Sequence, residues 1–239
     1  MREIYIAATP IGGIDDITVA TLKVLKEADF IICEFIPRVT QLIIDGKWEN
    51  HAESMEYGQD PSKYPEIHQR ILNVIDAGKK VIYLPERGSV GIEDPGFSLM
   101  KFLEDNGVTL RILPGPSSII ASYQAALPMS DAVSRNAFTF QPIVDLTDEQ
   151  LEAYIRSYRN SPNALIFIVH DPEMHTAIKF MEKYYGSGRR VAMCMNISLR
   201  DQEIVRTTLG ELARDFTPEK YHQKYTTIVV DGCELPLPE

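Results

Sequence analysis

The chain has 239 residues, 44% of them hydrophobic and 24% charged, with a formal net charge of −10. That length can bury one large core or two modest ones, and the composition excludes a disordered or collagen-like chain. The negative balance repels nucleic acid and anionic membranes at long range, so either partner would need a local basic patch.

The visible basic pairs, Lys79-Lys80 and Arg189-Arg190, are short and stand just before strand-like runs, as solvated turn residues do. No apolar run approaches the roughly 18 residues that span a bilayer. A strand pattern, Ile4-Tyr5-Ile6, begins almost at Met1, so a cytoplasmic protein without a membrane partner is expected. Cys33, Cys194 and Cys233 are widely spaced in largely apolar surroundings, which predicts reduced core thiols rather than a disulfide framework or a zinc site. His170 and His175 lie five apart rather than at the helical four, and no metal site is expected.

In chain order, residues 4–8 read as a buried strand. A helix over residues 18–28 follows, with Val19, Leu22 and Leu25 at helical spacing after the candidate caps Asp16 and Thr18. Residues 30–33 form the next strand, a short helical stretch runs to Ile44, and residues 48–64 read as a polar loop containing tyrosines. Helical spacing returns at Ile67, Ile71, Leu72 and Ile75, with Gly78 as a stop. A strand over residues 81–84, a helix over 97–106 and a strand over 109–113 complete an alternation that predicts a largely parallel sheet covered on both faces.

Pro114-Gly115-Pro116 breaks the pattern, and Ser117-Ser118 can cap the helix beyond it. Two α/β domains are therefore expected, residues 1–115 and residues 116–239. The second half interleaves strands over residues 138–140, 165–169, 191–195, 204–207 and 227–230 with helices over 148–158 and 172–185. The strand at Ile204 follows that at Val191 too closely for an intervening helix, so this pair is antiparallel and the second sheet is mixed. Residues 234–239 read as a frayed tail.

Three turns close the first-half strands: Ala8-Thr9-Pro10-Ile11-Gly12-Gly13, the stretch from Arg87-Gly88-Ser89-Val90-Gly91-Ile92 to Glu93-Asp94-Pro95-Gly96, and Pro114-Gly115-Pro116-Ser117-Ser118. A parallel sheet puts all three at its carboxyl edge, where open α/β sheets bind small molecules. No G-x-G-x-x-G follows the first strand and no G-x-x-x-x-G-K-[ST] occurs. With Arg87 the only cation in these loops, backbone amides and hydroxyls suit an amino-acid carboxylate, a ribose and an adenine edge better than a polyphosphate. Any one cluster could do no more than turn the chain; three on one edge favour a ligand.

The run A-T-P-I-G-x-x-x-D-I-T-x-x-x-L-x-x-L-x-x-A-D near the start, the loop Gly88 to Gly96 and Pro114-Gly115-Pro116-Ser117 together resemble the tetrapyrrole methylase superfamily of S-adenosylmethionine-dependent methyltransferases. The branch they resemble most is ribosomal RNA small-subunit methyltransferase I, which methylates a cytidine ribose 2′-oxygen. Asn196-Ile197-Ser198-Leu199-Arg200-Asp201-Gln202, followed by Thr207-Thr208-Leu209, is similar to the E-N-A-T-x-x-x-Q…G-T-L run of the uroporphyrinogen and precorrin methylases. The resemblance implies S-adenosyl-L-methionine in a cleft between two α/β domains, and a homodimer. Carried over by motif, it implies cofactor contacts from Pro10, Arg87, Gly88, Ser89, Ile92, Ser117 and Ser118, and from Val169, Ile197, Thr226 and Thr227.

The departures bear on the acceptor. Where the RNA-modifying branch carries C-E-D-T-R-H-T-R-K, this chain has Cys33-Glu34-Phe35-Ile36-Pro37-Arg38-Val39-Thr40-Gln41, and its basic G-F-L-P-R-K segment becomes Gln141-Pro142-Ile143-Val144-Asp145-Leu146-Thr147-Asp148-Glu149. Phosphate contacts supply much of RNA affinity, so these replacements argue for a different acceptor. A ribosomal RNA acceptor reached through a partner or a dimer-built patch, a tetrapyrrole acceptor, and a non-catalytic S-adenosylmethionine-binding or interaction protein are the alternatives. Glu34, Tyr57 and Tyr64 are the nameable base candidates, but Glu34 could merely cap a helix and loop tyrosines could merely cover a cleft, so no catalytic base is assigned.

Overall fold

A computed structural model describes residues 2–58, 60–129, 137–222 and 224–233; the expected tail over residues 234–239 lies outside them. The chain divides into two compact units, Met1–Ser117 and Ser118–Glu239.

The first unit contains strands β1 (Glu3–Ala7), β2 (Phe30–Cys33), β3 (Glu53–Glu56), β4 (Val81–Leu84) and β5 (Thr109–Leu113), in the order β3-β2-β4-β1-β5. Every pairing is parallel. Four helices, α1 (Val19–Glu27), α2 (Ile36–Asp45), α3 (Tyr64–Asp76) and α4 (Gly96–Asp105), make the crossovers that parallel strands require. Strand alternation divides the apolar residues between two layers. Ile4, Ile6, Phe30, Ile32, Val81 and Tyr83 pack with Ile71 and Ile75 of α3 and Leu99 and Leu103 of α4. Ala7, Ile31, Cys33, Ile82 and Leu84 pack with Val24 and Leu25 of α1 and Val39 of α2. The inner strands read as unbroken apolar runs because both faces are covered. Each fully buried aliphatic side chain contributes about 1.5–3 kcal/mol over leaving it exposed.

The polar stretch over residues 48–64 is not simply a loop: it holds the edge strand β3, and Tyr57 just beyond it is fully buried. Only Met55 and Tyr57 turn inward while Glu53, Ser54 and Glu56 stay exposed, so this short edge carries too little apolar signal to read as a strand.

The second unit has strands β6 (Phe138–Ile143), β7 (Ala164–Val169), β8 (Arg190–Met195), β9 (Glu203–Thr208) and β10 (Thr226–Val230), ordered β6-β7-β10-β8-β9. Only β6 and β7 run parallel; β7–β10, β10–β8 and β8–β9 are antiparallel, the last as its short connection predicts. Helices α6 (Asp148–Ser157), α7 (Asp171–Tyr185) and α8 (Leu209–Asp215) cover one face, over Leu165, Phe167, Val169, Val191, Met193, Met195, Ile228 and Val230. Helix α5 (Ser118–Ala126) packs on the other, where the Cys194 thiol meets the Ser122 carbonyl at 3.9 Å. The short helix α9 (Pro218–Tyr221) precedes β10.

Cys33 and Cys194 are buried, but Cys233 is half-buried beyond the end of β10, its thiol 3.1 Å from the Asn160 carbonyl, so it is no core residue. Among the described residues, no helix is long and apolar enough to cross a membrane.

Candidate cofactor site

In the first unit the loops after β1, β4 and β5 emerge at the carboxyl edge, and three consecutive residues of the β4 loop fasten them together. Arg87 Nη1 donates to the Ile11 carbonyl at 3.1 Å. Gly88 pairs with Thr9 in an antiparallel bridge, N–H to carbonyl at 3.0 and 3.2 Å. Ser89 Oγ donates to the Pro116 carbonyl at 3.0 Å. Thr9 is only 1% exposed, and its hydroxyl lies within 3.3 Å of the Pro85 carbonyl and 3.2 Å of the Glu86 carbonyl. Each such bond stabilises by about 0.5–1.5 kcal/mol and leaves a costly buried polar group if broken.

Glycine is required at two of these contacts. Gly88 has φ +71°, and a Cβ there would meet Ile11 Cγ2 at 3.2 Å; one on Gly115 would lie 2.6 Å from Ala8 Cβ. The backbones themselves meet, and the edge they form offers peptide groups and hydroxyls rather than charges.

Pro10 is buried in the β1 loop, and Ile92 is half-buried in the far half of the β4 loop. Ser117 and Ser118 are half-buried, the last residue of one unit and the first of the next.

The base candidates find other employment. Glu34 Oε2 accepts from the Glu86 N–H at 2.9 Å and so holds the start of the β4 loop, while α2 takes Phe35 as its N-cap with no side-chain cap bond. Tyr57 stacks on Tyr64 with ring centroids 4.6 Å apart, and its hydroxyl lies 2.8 Å from His68 Nε2. Burial pushes both phenols above their usual range, most strongly that of Tyr57, and Tyr64 donates to the Gly58 carbonyl at 3.2 Å. Neither phenol is a proton acceptor at neutral pH.

In the second unit, Val169 ends β7 opposite Thr226, which in turn faces Met195 at the end of β8. Strand alternation sets Thr227 on the other face, opposite Ile168 and Cys194, so the structure brings Val169 and Thr226 to one face and leaves Thr227 off it. Ile197 is half-buried in the turn after β8, flanked by two left-handed residues, Asn196 at φ 50° and Ser198 at φ 70°. Asn196, 6% exposed, holds this turn: Oδ1 accepts from the Tyr225 N–H at 3.0 Å and Nδ2 donates to Asp201 Oδ2 at 2.7 Å. Among the described residues, no group of three or more His, Cys, Asp or Glu side chains could hold a metal ion.

Thr9 and Asn196 lie within the quoted motifs but are not among the contacts carried over from them. Their signal is a polar residue at the end of an apolar strand, which gains meaning only once its partner, distant in sequence, is known.

Residues 3–213 match the family model of the Tetrapyrrole (Corrin/Porphyrin) Methylases. The chain is 26% identical over 236 residues to the ribosomal RNA small subunit methyltransferase I of Mesorhizobium japonicum, covering 99% of this chain and 77% of that one. It is 24% identical over 234 residues to the protein of the same name from Thermotoga maritima, covering 98% and 100%. It shares its fold with the uroporphyrin-III C-methyl transferase of Thermus thermophilus solved with S-adenosylhomocysteine, at a TM-score of 0.65 and 18% identity over 96% of this chain and 97% of that one. The protein is an S-adenosylmethionine-dependent methyltransferase. Within that class, the chain belongs to the tetrapyrrole (corrin/porphyrin) methylase family.

Proposed function

We propose that the β1, β4 and β5 loops hold S-adenosylmethionine and that the methyl group goes to an acceptor other than ribosomal RNA. The observation that carries the first part is the fastening of residues 87–89 to the two neighbouring loops, which preorganises a backbone-lined edge before any ligand arrives. In this reading Pro10, Arg87, Gly88, Ser89, Ile92, Ser117 and Ser118 contact the methyl donor, as do Val169, Ile197 and Thr226 of the second unit; Thr227, on the opposite face of β10, is left out.

The donor set fits such a ligand. Gly88 and Gly115 allow close backbone approach, and the Arg87 guanidinium is turned onto the Ile11 carbonyl, which lessens its repulsion of a sulfonium. When bound, the donor supplies an electrophilic methyl: the acceptor's lone pair forms the new bond as the carbon–sulfur bond breaks. The protein's share is to hold the two in line, and no protein nucleophile is needed.

For the acceptor, the replaced basic segments are joined by local pairing of many cations. Lys80 meets Glu27, Lys183 meets Glu152, Arg111 meets Glu3, and Lys220 and Lys224 both meet Glu203. Together with the net charge of −10, this local pairing weakens the pull on a polyanion. The second reading, a ribosomal RNA (cytidine-2′-O-)-methyltransferase, is favoured by the names of relatives that align over nearly the whole chain. A tetrapyrrole acceptor is favoured by the fold neighbour that is a uroporphyrin-III methyl transferase. A cytoplasmic homodimer completes the proposal: the free thiols fit that compartment, and light scattering tests the dimer.

Calorimetric titration with S-adenosylmethionine and S-adenosylhomocysteine tests the site. Saturable binding that Gly88→Trp abolishes is the expected result, and no binding to the folded wild-type protein overturns the reading. Labelled methyl transfer then tests the acceptor: efficient methylation of small ribosomal subunits would sink the claim of a different one.

A further inference from the structure

The far half of the β4 loop, residues 90–95, is held differently from residues 87–89. Asp94 turns its carboxylate back into the loop: Oδ2 accepts from the Gly91 N–H at 2.6 Å and the Ile92 N–H at 3.1 Å, and Oδ1 from the Gly96 N–H at 2.7 Å. Tyr83, fully buried one residue before the end of β4, adds its hydroxyl to Oδ1 at 3.4 Å. An ionised carboxylate is a pure acceptor with room for four donors, and its bonds to N–H groups are charge-assisted. Burial, together with the charges of Asp94 and Glu34, keeps the Tyr83 phenol above its usual range and hence a donor. The turn also runs through left-handed backbone at Gly91, φ +88°, and Glu93, φ 60°, which the carboxylate must hold in place.

We propose that Asp94 is a positioning residue for methyl-donor binding, its carboxylate fixing the turn that presents Ile92, with Tyr83 fixing the carboxylate. This rests on the reading that the β4 loop contacts the donor. A purely structural Asp94, capping the first turn of α4 through Gly96, would affect melting but not affinity. The three N–H groups span the loop as well as the helix start, and that extends its reach to the ligand.

The test titrates S-adenosylhomocysteine into wild type, Asp94→Ala, Asp94→Asn, Tyr83→Phe and Gly88→Trp, with thermal melts and amide hydrogen exchange of residues 90–96 in parallel. At a temperature where all are folded, Asp94→Ala should bind at least about tenfold more weakly, which is ~1.4 kcal/mol. Asp94→Asn keeps one acceptor oxygen and should restore part of that loss, and Tyr83→Phe should cost about two- to threefold. Exchange in the loop should speed up in the same order. Wild-type affinity in a folded Asp94→Ala, or in Asp94→Asn should the alanine variant not fold, overturns the inference even if its melting point has dropped. Failure of the wild type to bind overturns the site reading instead, and wild-type binding lost only in Gly88→Trp separates the two.

Discussion

The two sheets hold their carboxyl-edge residues by opposite means. In the first unit the holding is shared among several loops and is made largely to carbonyl groups, by Arg87, Gly88 and Ser89 in succession. In the second, a strand register aligns Val169 with Thr226, and two side-chain amides, those of Asn196 and Gln202, accept from the Tyr225 and Ser198 N–H groups around a turn with left-handed residues at both ends of Ile197. A cradle that uses carbonyls as acceptors can survive exchange of the side chains around it, because every residue brings a carbonyl. A turn whose acceptors include two particular side-chain amides tolerates such exchange less well.

The sharpest way to break this comparison is at Asn196. Asn196→Ala removes two bonds from a buried position and leaves the Tyr225 N–H without its side-chain acceptor, so urea melts should show a loss of about 2–4 kcal/mol. Asn196→Gly loses the same bonds but relieves the left-handed backbone at φ 50°, so it should be more stable than the alanine variant by about 1 kcal/mol. Equal stabilities would mean that the turn carries no strain. The matching change in the first unit, Ser89→Ala, removes one of several ties and should cost only about 1 kcal/mol in the same melts. A loss as large as that at Asn196 would erase the distinction.

The smallest effect is set by pH. Burial lowers the His68 pKa below its ordinary 6.5, which favours the neutral ring in the fold, its Nε2 sharing a hydrogen bond with the Tyr57 hydroxyl. The unfolded chain then takes up a proton at a higher pH than the folded one. Stability is full above about pH 6.5 and falls as the pH drops toward the depressed folded value. Thermal melts from about pH 5 to 8 should show this acid limb in wild type and a flatter one in His68→Gln, with the difference confined to signals from the first unit.

Much of the architecture could be read before any coordinates. Phe30-Ile31-Ile32-Cys33 and Val81-Ile82-Tyr83-Leu84 are apolar on both faces, as central parallel strands must be, and the short link between β8 and β9 left no room for a crossover. The resemblance supplied the candidate contacts. What stayed hidden were features whose cause lies far along the chain. Tyr57 reads as a loop residue because its burial comes from stacking on Tyr64 and an edge-on contact with Tyr83, not from a periodic run of its own. Glu34 looked like a base or a helix cap, yet its partner is the backbone of Glu86, across two adjacent strands. Helix α8 has too few residues for an apolar period and shows itself only through the reciprocal cap between Thr208 and Glu211.

The placement of the cysteines equips the molecule with a clock in each half. Burial, reinforced by the charge of Glu56, pushes the Cys33 thiol up to about 12, and burial pushes that of Cys194 up to about 11, so neither is nucleophilic while its surroundings stay closed. Cys33 belongs to the first unit and Cys194 to the second, while half-buried Cys233 provides a prompt baseline. A thiol reagent followed by mass spectrometry would therefore time the opening of each unit separately in the unaltered protein. A ligand held by the first unit alone would slow labelling of Cys33 and leave the rate at Cys194 unchanged.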